Sequence, residues 1–140
     1  NTLANEYSVD GTVLIICQRI NHAVALHELI HGSYLATGQD DIKVRQDIID
    51  KMRLGTGVFI ATNIWDEGVD IPALDCIILA SGGKSHVRQL QRIGRGLRTS
   101  DGKKMLTVID FYDTLNRHLR THSDLRIETY ENEGFAIEKV

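Results

Sequence analysis

Residues 12–38 are TVLIICQRINHAVALHELIHGSYLATG, in which two apolar runs flank a stretch with helical spacing. The first run, Thr12 to Cys17, is rich in β-branched residues and apolar at nearly every position, which is typical of a strand covered on both faces. Between the runs, Ala23, Leu26 and Ile30 recur at intervals of three and four residues, the spacing of one helix face. The segment therefore predicts a β-α-β unit with parallel strands.

The same alternation of apolar runs and helical stretches continues along the chain. It predicts an α/β fold with a mostly parallel sheet and helices on both faces. At the carboxyl ends of such strands lie the loops that carry function in open parallel sheets. We expect five strands, at Thr12 to Cys17, Tyr34 to Thr37, Gly57 to Thr62, Asp75 to Ser81 and Met105 to Phe111.

Capping and stop residues predict the first two helices. Asn21 is a candidate cap for the first helix, and Gly32 is its stop signal. Either Asp40 or Asp41 can open the second helix, which ends before Gly55. We expect the inner face of the second helix to consist of Ile42, Ile48, Ile49 and Met52.

The second half of the chain carries two further helix patterns and one more alternating segment. A third helix is expected from Ser85 to about Gly96, and a fourth from Asp113 to about His122. Residues Leu125 to Tyr130 alternate in polarity, which predicts a sixth strand. We expect Glu131 to Val140 to close the domain in a structural role.

Length and composition indicate one globular domain. The 140 residues are 42% hydrophobic and 25% charged, so we expect a single domain over residues 1–140, with a core at about 12–111 and an extension at 112–140 packed on it. The longest apolar runs are far shorter than the roughly 20 residues that cross a bilayer. Cys17 and Cys76 lie inside apolar runs, so we expect unbonded thiols in a reduced, cytoplasmic setting.

Charge is distributed unevenly along the chain. The formal net charge is -3, but the segment from Lys84 to Lys104 contains seven cations against one anion. Such a local excess is expected where a polyanion is bound. Within it, residues 91–98 are QRIGRGLR, whose arginines lie opposite the apolar residues if the segment is helical. Guanidinium groups bind phosphate through paired hydrogen bonds, although a solvated basic face would have the same pattern.

Residues 91–98 resemble motif VI of superfamily 2 helicases, Q/H-R-x-G-R-x-x-R, and residues 59–72 resemble motif V of the same family. Residues 13–18 are similar to motif IV, and Ala36-Thr37-Gly38 with Arg45 is similar to the segment between motifs IV and V. The resemblance covers about Thr12 to Ile109. It implies the C-terminal RecA-like lobe of a DEAD/DEAH-type ATP-dependent helicase, a three-layer α/β/α domain.

Two departures from the pattern of DEAD-box RNA helicases bear on the branch of the family. Gln91 stands where those proteins typically have histidine, and Glu67-Gly68 stands in place of Arg-Gly. Both are more similar to the DNA repair, recombination and restriction-translocase branches. The resemblance therefore implies DNA in preference to RNA as the nucleic acid.

The resemblance also implies roles on the nucleotide side. Arg95 and Arg98 are implied to be arginine fingers that reach the γ-phosphate of ATP, and Gln91 to lie near that phosphate or its attacking water. ATP and Mg²⁺ would be bound mainly by an N-terminal lobe of the same polypeptide. The remaining implied nucleotide contacts are Gly68, Asp70 and Arg92.

On the nucleic-acid side, the resemblance implies contacts to the sugar-phosphate backbone from Thr62, Thr37, Gly38 and Arg19, which leave base identity largely unread. Each also has a structural explanation, because Thr62 can end a strand, Thr37-Gly38 can form a turn and Arg19 can be a surface cation. Asp70 can likewise be a turn aspartate. We expect no metal at His27 with His31, at His118 with His122, or at Asp66-Glu67. We expect Trp65 to pack in the fold and not to stack on a base.

The sequence contains no G-x-x-x-x-G-K-[ST] phosphate loop, so we expect the chain to be unable to hydrolyse ATP alone. We interpret the chain, which begins at Asn1, as a piece of a longer polypeptide. The resemblance implies the C-terminal motor lobe of a helicase or translocase. The alternative is a non-catalytic RecA-like module that binds nucleic acid or regulates a partner.

Overall fold

The structure is a computed structural model that describes residues 11–62, 74–82, 90–91 and 105–140. Its strands are β1 (Thr12–Ile16), β2 (Tyr34–Ala36), β3 (Gly57–Ala61), β4 (Cys76–Leu79) and β5 (Thr107–Asp110). They form one sheet in the order β2-β3-β1-β4-β5, and every neighbouring pair is parallel. The five predicted strands are confirmed, each slightly shorter than the apolar run that predicted it.

Both faces of β1, the central strand of the sheet, are buried. Its continuous apolar run is typical of such a strand. Successive side chains of a strand point to opposite faces, so Leu14 and Ile16 pack on one face of β1 while Val13 and Ile15 pack on the other. Each set belongs to its own core cluster, and the two clusters are separated by the sheet. The three-layer α/β/α architecture is therefore confirmed.

The helices are α1 (Ile20–Leu29), α2 (Ile42–Met52) and α3 (Arg117–Asn132). Helix α1 covers one face through Ala23, together with Ile30 directly after the helix, whereas Ile48 and Met52 of α2 belong to the cluster on the opposite face. Tyr130 of α3 packs against the same cluster as α2. In the region of the predicted third helix, the structure describes Leu90 and Gln91, which are both helical.

The predicted cap of α1 is wrong. For α2, the structure decides between Asp40 and Asp41, the two candidate caps. Asn21 is the second residue of α1, which begins after Arg19 without a side-chain cap. The Arg19 carbonyl instead accepts hydrogen bonds from the amides of the first turn. For α2 the cap is Asp41, whose side chain accepts from the Val44 N–H at 3.0 Å.

Ile42 was expected on the inner face of α2, but it is 80% exposed. The buried residues of this helix are Ile48, Ile49 and Met52. Ile42 is the first helical residue, and the apolar stripe that faces the sheet begins more than a turn later. The remaining predicted inner-face residues are confirmed.

The predictions for the tail are wrong in two respects. Helix α3 begins after Asn116, whose side chain accepts from the Leu119 N–H at 2.9 Å, and not after Asp113. The helix continues to Asn132, so Leu125 to Tyr130 is helical and no strand forms there. Ser123 and Arg126, three residues apart, are both buried, which is the spacing of one helix face and not of a strand.

The two cysteines are free and buried, and burial raises the pKa of both Cys17 and Cys76 to about 11. For Cys76 the neighbouring charge of Asp75 adds to the effect. A thiolate is disfavoured in apolar surroundings. Within the part of the chain that the structure describes, no helix combines the length and the apolar character needed to cross a membrane.

Candidate nucleic-acid interface

The loops that follow the strands converge on one edge of the sheet. All strands are parallel, so their carboxyl ends share this edge, where ligands bind in open α/β sheets. Polar residues or glycines follow four of the strands within one to three positions. They are Gln18 and Arg19 after β1, Thr37 and Gly38 after β2, Thr62 after β3, and Ser81 and Gly82 after β4.

Thr62 and Gly38 are joined across the ends of β2 and β3. The Gly38 N–H donates to Thr62 Oγ1 at 2.9 Å, and the Thr62 N–H donates to the Ala36 carbonyl at 3.1 Å. Thr62 is 4% exposed, so its position is fixed by the sheet. Because a hydroxyl both donates and accepts, Thr62 keeps a proton to donate while its oxygen holds Gly38.

The segment after β2 is a closed turn built around Asp40. Asp40 Oδ2 accepts from both the backbone N–H and the hydroxyl of Thr37, the latter at 3.0 Å. In return, the Asp40 N–H donates to the Thr37 carbonyl at 3.2 Å. The Thr37 hydroxyl therefore donates its proton inside the turn, and a phosphate would have to replace Asp40 as its acceptor.

Arg45 of α2 braces the same turn from outside. Its Nε donates to the Asp40 carbonyl at 3.0 Å and its Nη2 to the Gly38 carbonyl at 3.1 Å. The family resemblance placed Arg45 in the same segment as Thr37 and Gly38 without assigning it a contact, and Asp40 was considered only as a helix cap. A carboxylate three residues after a threonine is typical of such turns, and this spacing was the available signal.

The predicted backbone contacts are thus partly brought together. Thr37, Gly38 and Thr62 form one hydrogen-bonded group, while Arg19 lies at the same edge, at the start of α1, with an exposed side chain. The Gln18 N–H donates to Ser81 Oγ at 3.0 Å, which ties the ends of β1 and β4 together. This edge presents hydroxyls, backbone amides and a cation, the groups that bind phosphate oxygens.

Gln91 has a partner that the sequence did not reveal. Its Nε2 donates to Glu133 Oε1 at 3.0 Å, across 42 residues of sequence. The other residues predicted for the nucleotide side, Gly68, Asp70, Arg92, Arg95 and Arg98, lie outside the described residues, as do Trp65 and Asp66-Glu67. Their roles stay predictions.

Helix α3 is attached to the carboxyl end of β5 by a buried ion pair. Arg126 is 3% exposed, and its guanidinium donates to both oxygens of Asp110, at 2.7 and 3.3 Å. The Tyr130 hydroxyl donates to Asp110 Oδ2 at 2.8 Å. Burial, followed by the charge of Asp110, raises the pKa of Tyr130.

The histidine pairs have other contacts. His27 Nδ1 lies 2.9 Å from Ser33 Oγ, and the rings of His118 and His122 lie 4.3 Å apart. Among the residues with described positions, no three histidine, cysteine or carboxylate side chains are grouped as metal ligands. The described site contains hydroxyl, amide and guanidinium groups, together with the Asp40 carboxylate inside the turn.

A parallel sheet in the order β2-β3-β1-β4-β5, with helices on both faces and hydroxyl and backbone amide groups at its carboxyl edge, is the architecture of a RecA-like lobe. The chain belongs to the family described as the helicase conserved C-terminal domain, whose model matches residues 1–100.

Named relatives agree with this assignment. The chain is 36% identical to the putative ATP-dependent helicase IRC3 of Saccharomyces cerevisiae, over 76% of this chain and 16% of that protein. It is 26% identical to the ATP-dependent DNA helicase uvsW of Enterobacteria phage T4, over 90% of this chain and 29% of that protein. The chain thus spans less than a third of each of these relatives.

Solved structures show the same fold. The crystal structure of T4 UvsW superposes with a TM-score of 0.72 at 25% identity, covering 96% of this chain and 31% of that one. The C-terminal domain of the DEAD-box protein Dbp5 superposes with a TM-score of 0.67 at 20% identity, covering 95% of this chain and 76% of that one. The similarity to Dbp5 concerns the fold alone.

Proposed function

We propose that this chain is the C-terminal motor lobe of an ATP-dependent helicase or translocase that acts on nucleic acid, DNA in preference to RNA. The observation that carries the proposal is the match of residues 1–100 to the helicase conserved C-terminal domain, which spans the segments similar to motifs V and VI. Relatives that are named ATP-dependent helicases, including one named a DNA helicase, support it.

On the nucleotide side, ATP and Mg²⁺ are held mainly by an N-terminal RecA-like lobe of the same polypeptide. Arg95 and Arg98 of this chain reach the γ-phosphate, and Gln91 lies near the attacking water. Gly68, Asp70 and Arg92 complete the nucleotide contacts. Phosphoryl transfer spreads negative charge over the phosphate oxygens, so an arginine supplied from a second lobe accelerates it by about 10³- to 10⁵-fold.

On the nucleic-acid side, the Thr62 hydroxyl donates to a backbone phosphate while the Gly38 N–H holds its oxygen at 2.9 Å. The turn at Thr37 lies beside it, braced by Arg45, and Arg19 adds a positive charge. These contacts read the backbone and not the bases. Closure of two lobes on ATP and reopening after hydrolysis then move the strand, a conformational step of the kind that often limits turnover.

The test is the nucleic-acid-stimulated ATPase of the protein that joins this chain to its N-terminal lobe, assayed with single-stranded DNA, duplex DNA and RNA. We expect Arg98→Ala to lower kcat at least about a hundredfold, given the magnitude for arginine fingers. Arg117→Ala, an exposed arginine at the start of α3, is the matched control and should retain wild-type activity. Unchanged turnover in Arg98→Ala would contradict the proposal, and an upstream segment with no phosphate loop would favour the non-catalytic binding module.

A further inference from the structure

The hydrogen bond from Gln91 to Glu133 joins the segment similar to motif VI to the end of α3. We propose that Glu133 is a positioning residue for Gln91. It binds the NH₂ group of the Gln91 side chain and so leaves the carbonyl oxygen of that side chain available to the reaction. This inference rests on the proposed function, because it gives Gln91 the role near the attacking water. Neither the family match, which ends at residue 100, nor the motif pattern includes Glu133.

The Gln91 end of this bond is held by the core. Leu90, the preceding residue, is 4% exposed and belongs to the same cluster as Ile77 and Leu79 of β4. A buried neighbour restricts the helix that carries Gln91, since core side chains occupy defined positions. The amide of Gln91 therefore starts from a fixed backbone, although the residue itself is half-buried.

The Glu133 end of the hydrogen bond is held by the contacts that attach α3 to β5. Arg126 and Tyr130, on the same helix, both bind Asp110 at the end of β5. Tyr130 also packs against the cluster that contains Leu90. One core cluster thus supports both partners of the hydrogen bond, and the distance between them is set by buried structure and not by the exposed side chains alone.

The last turn of α3 fixes the backbone of Glu133 itself. The Glu133 N–H donates to the Thr129 carbonyl at 3.0 Å, and Gly134 takes a φ of 80° that ends the helix. The Phe135 N–H then donates to the Tyr130 carbonyl at 3.0 Å, with the two rings 5.9 Å apart. Glu133 therefore projects from a capped helix end.

The chemistry of the pair is directional. An ionised carboxylate only accepts hydrogen bonds, so the group of Gln91 that faces Glu133 is its NH₂, as the 3.0 Å contact from Nε2 shows. The carbonyl oxygen of the Gln91 side chain is then the group that is not bound to Glu133. A water that attacks phosphorus needs an acceptor for its hydrogen, and a flipped amide would present N–H donors in its place.

The experiment compares four variants in the full-length protein, with ATPase measured in saturating nucleic acid. Glu133→Ala should lower kcat roughly tenfold and leave KM for ATP within about twofold of wild type. The reason is that poorer positioning of Gln91 slows the reaction more than it weakens the binding of ATP. Glu133→Gln should recover most of the activity, since its amide oxygen still accepts from Gln91. Glu133→Lys, which only donates, should be as slow as Glu133→Ala, and Glu131→Ala is the matched control on the same helix end.

A second measurement separates positioning from folding. Glu133 is exposed, so the Tm of Glu133→Ala should lie within about 2 °C of wild type. The side-chain amide resonances of Gln91 should shift in Glu133→Ala and return toward their wild-type positions in Glu133→Gln. Loss of activity that follows Tm and is not recovered by Glu133→Gln would overturn the inference.

The outcomes also separate this inference from the proposed function. If Arg98→Ala is inactive while Glu133→Ala and Glu133→Lys turn over at the wild-type rate, the positioning role is wrong and the motor-lobe assignment stands. If Arg98→Ala itself retains full activity, the proposed function fails first. A slow Glu133→Ala beside a fully active Glu133→Lys would contradict the directional argument.

Discussion

Thr62 shows how one side chain can serve the fold and the proposed site together. Its oxygen accepts the Gly38 N–H, and its own amide extends the ladder between β2 and β3. While the oxygen accepts from Gly38, the hydroxyl proton is the group of Thr62 that can donate. Threonine at the end of β3 is therefore both a strand terminator and a candidate phosphate donor, so the two explanations drawn from the sequence are compatible.

Replacing Thr62 with valine tests this double role. Thr62→Val keeps the shape of the side chain but leaves the Gly38 N–H without its acceptor and removes the candidate donor to phosphate. We expect single-stranded DNA to bind roughly five- to tenfold more weakly, about 1 to 1.4 kcal/mol, as for one lost hydrogen bond. The dissociation constant is measured by fluorescence anisotropy at several salt concentrations.

The salt dependence and a second variant serve as controls. The slope of affinity against salt should not change in Thr62→Val, because no cation is removed. Thr62→Ser keeps the hydroxyl and should bind within about twofold of wild type. Wild-type affinity in Thr62→Val would exclude Thr62 from the interface.

At the scale of elements, the two buried residues of α3 are polar or charged, Ser123 and Arg126. The Arg126 guanidinium contacts both oxygens of Asp110, the Phe111 carbonyl and the Ser123 hydroxyl. A buried cation is tolerated only when its donors are paired in this way. These four acceptors come from β5, the residue after it and α3, so the pairing specifies where the helix lies on the sheet.

Arg126→Ala should therefore destabilise the protein strongly. Removing the guanidinium leaves the Asp110 carboxylate, 18% exposed, without its counter-charge. We expect the free energy of unfolding to fall by about 3 kcal/mol, at the lower end of the range for broken buried pairs because Asp110 is partly solvated. Urea denaturation measures this loss. The midpoint urea concentration should fall, while the dependence of the free energy of unfolding on urea concentration stays the same.

Tyr130→Phe is the matched control, since it removes one hydrogen bond to Asp110 and leaves the ion pair intact. Its cost should be about 1 kcal/mol. A loss below about 1 kcal/mol in Arg126→Ala would mean that the ion pair does not anchor α3. Hydrogen exchange along α3 provides the local readout, because a detached helix exchanges faster than the sheet.

At the scale of the whole molecule, three weak acids are kept neutral by the fold. Burial raises the pKa of Cys17 and of Cys76 from 9.0 to about 11, and it raises the pKa of Tyr130 as well. The thiols lie on β4 and immediately after β1, in the middle of the sheet. Each thiol ionises more readily in the unfolded chain than in the folded one.

The stability of the protein should therefore fall at alkaline pH. Above about pH 9 the unfolded chain has lost thiol protons that the native chain keeps, so unfolding releases protons and its free energy decreases as pH rises. Below pH 9 the contribution is complete, and it is lost progressively toward pH 11. The expected slope reaches about 1.4 kcal/mol per pH unit for each thiol.

The measurement is the free energy of unfolding by urea at several pH values between 7.5 and 10.5, under reducing conditions. Cys76→Ala has one thiol fewer, so its slope in this window should be shallower than that of wild type, whatever its stability at neutral pH. Equal slopes in the two proteins would show that Cys76 does not ionise on unfolding as burial implies.

Much of this fold could be predicted because it depends on local patterns. A parallel strand covered on both faces has to be apolar along its length, so five apolar runs predicted the five strands of the sheet. The family resemblance implied Thr37, Gly38 and Thr62 as backbone contacts, and the structure joins these residues by hydrogen bonds at the carboxyl edge. The domain boundaries and the roles of Arg95 and Arg98 stay predictions.

The errors fall where a local pattern is compatible with two structures. Residues 125–130 alternate in polarity as a strand would, yet the helix is selected by Arg126 and Tyr130, which reach Asp110 only when they lie on one helix face. Asn21 has the chemistry of a cap, but the cap position of α1 is Arg19, two residues earlier.

Backbone periodicity acts between neighbours in the chain, so the strands and most helix positions could be predicted from the amino-acid order. The partnerships of Gln91 with Glu133 and of Arg126 with Asp110 join residues 42 and 16 positions apart. No local pattern encodes such distances, because they arise only when the packed sheet and helix bring the groups within hydrogen-bonding range.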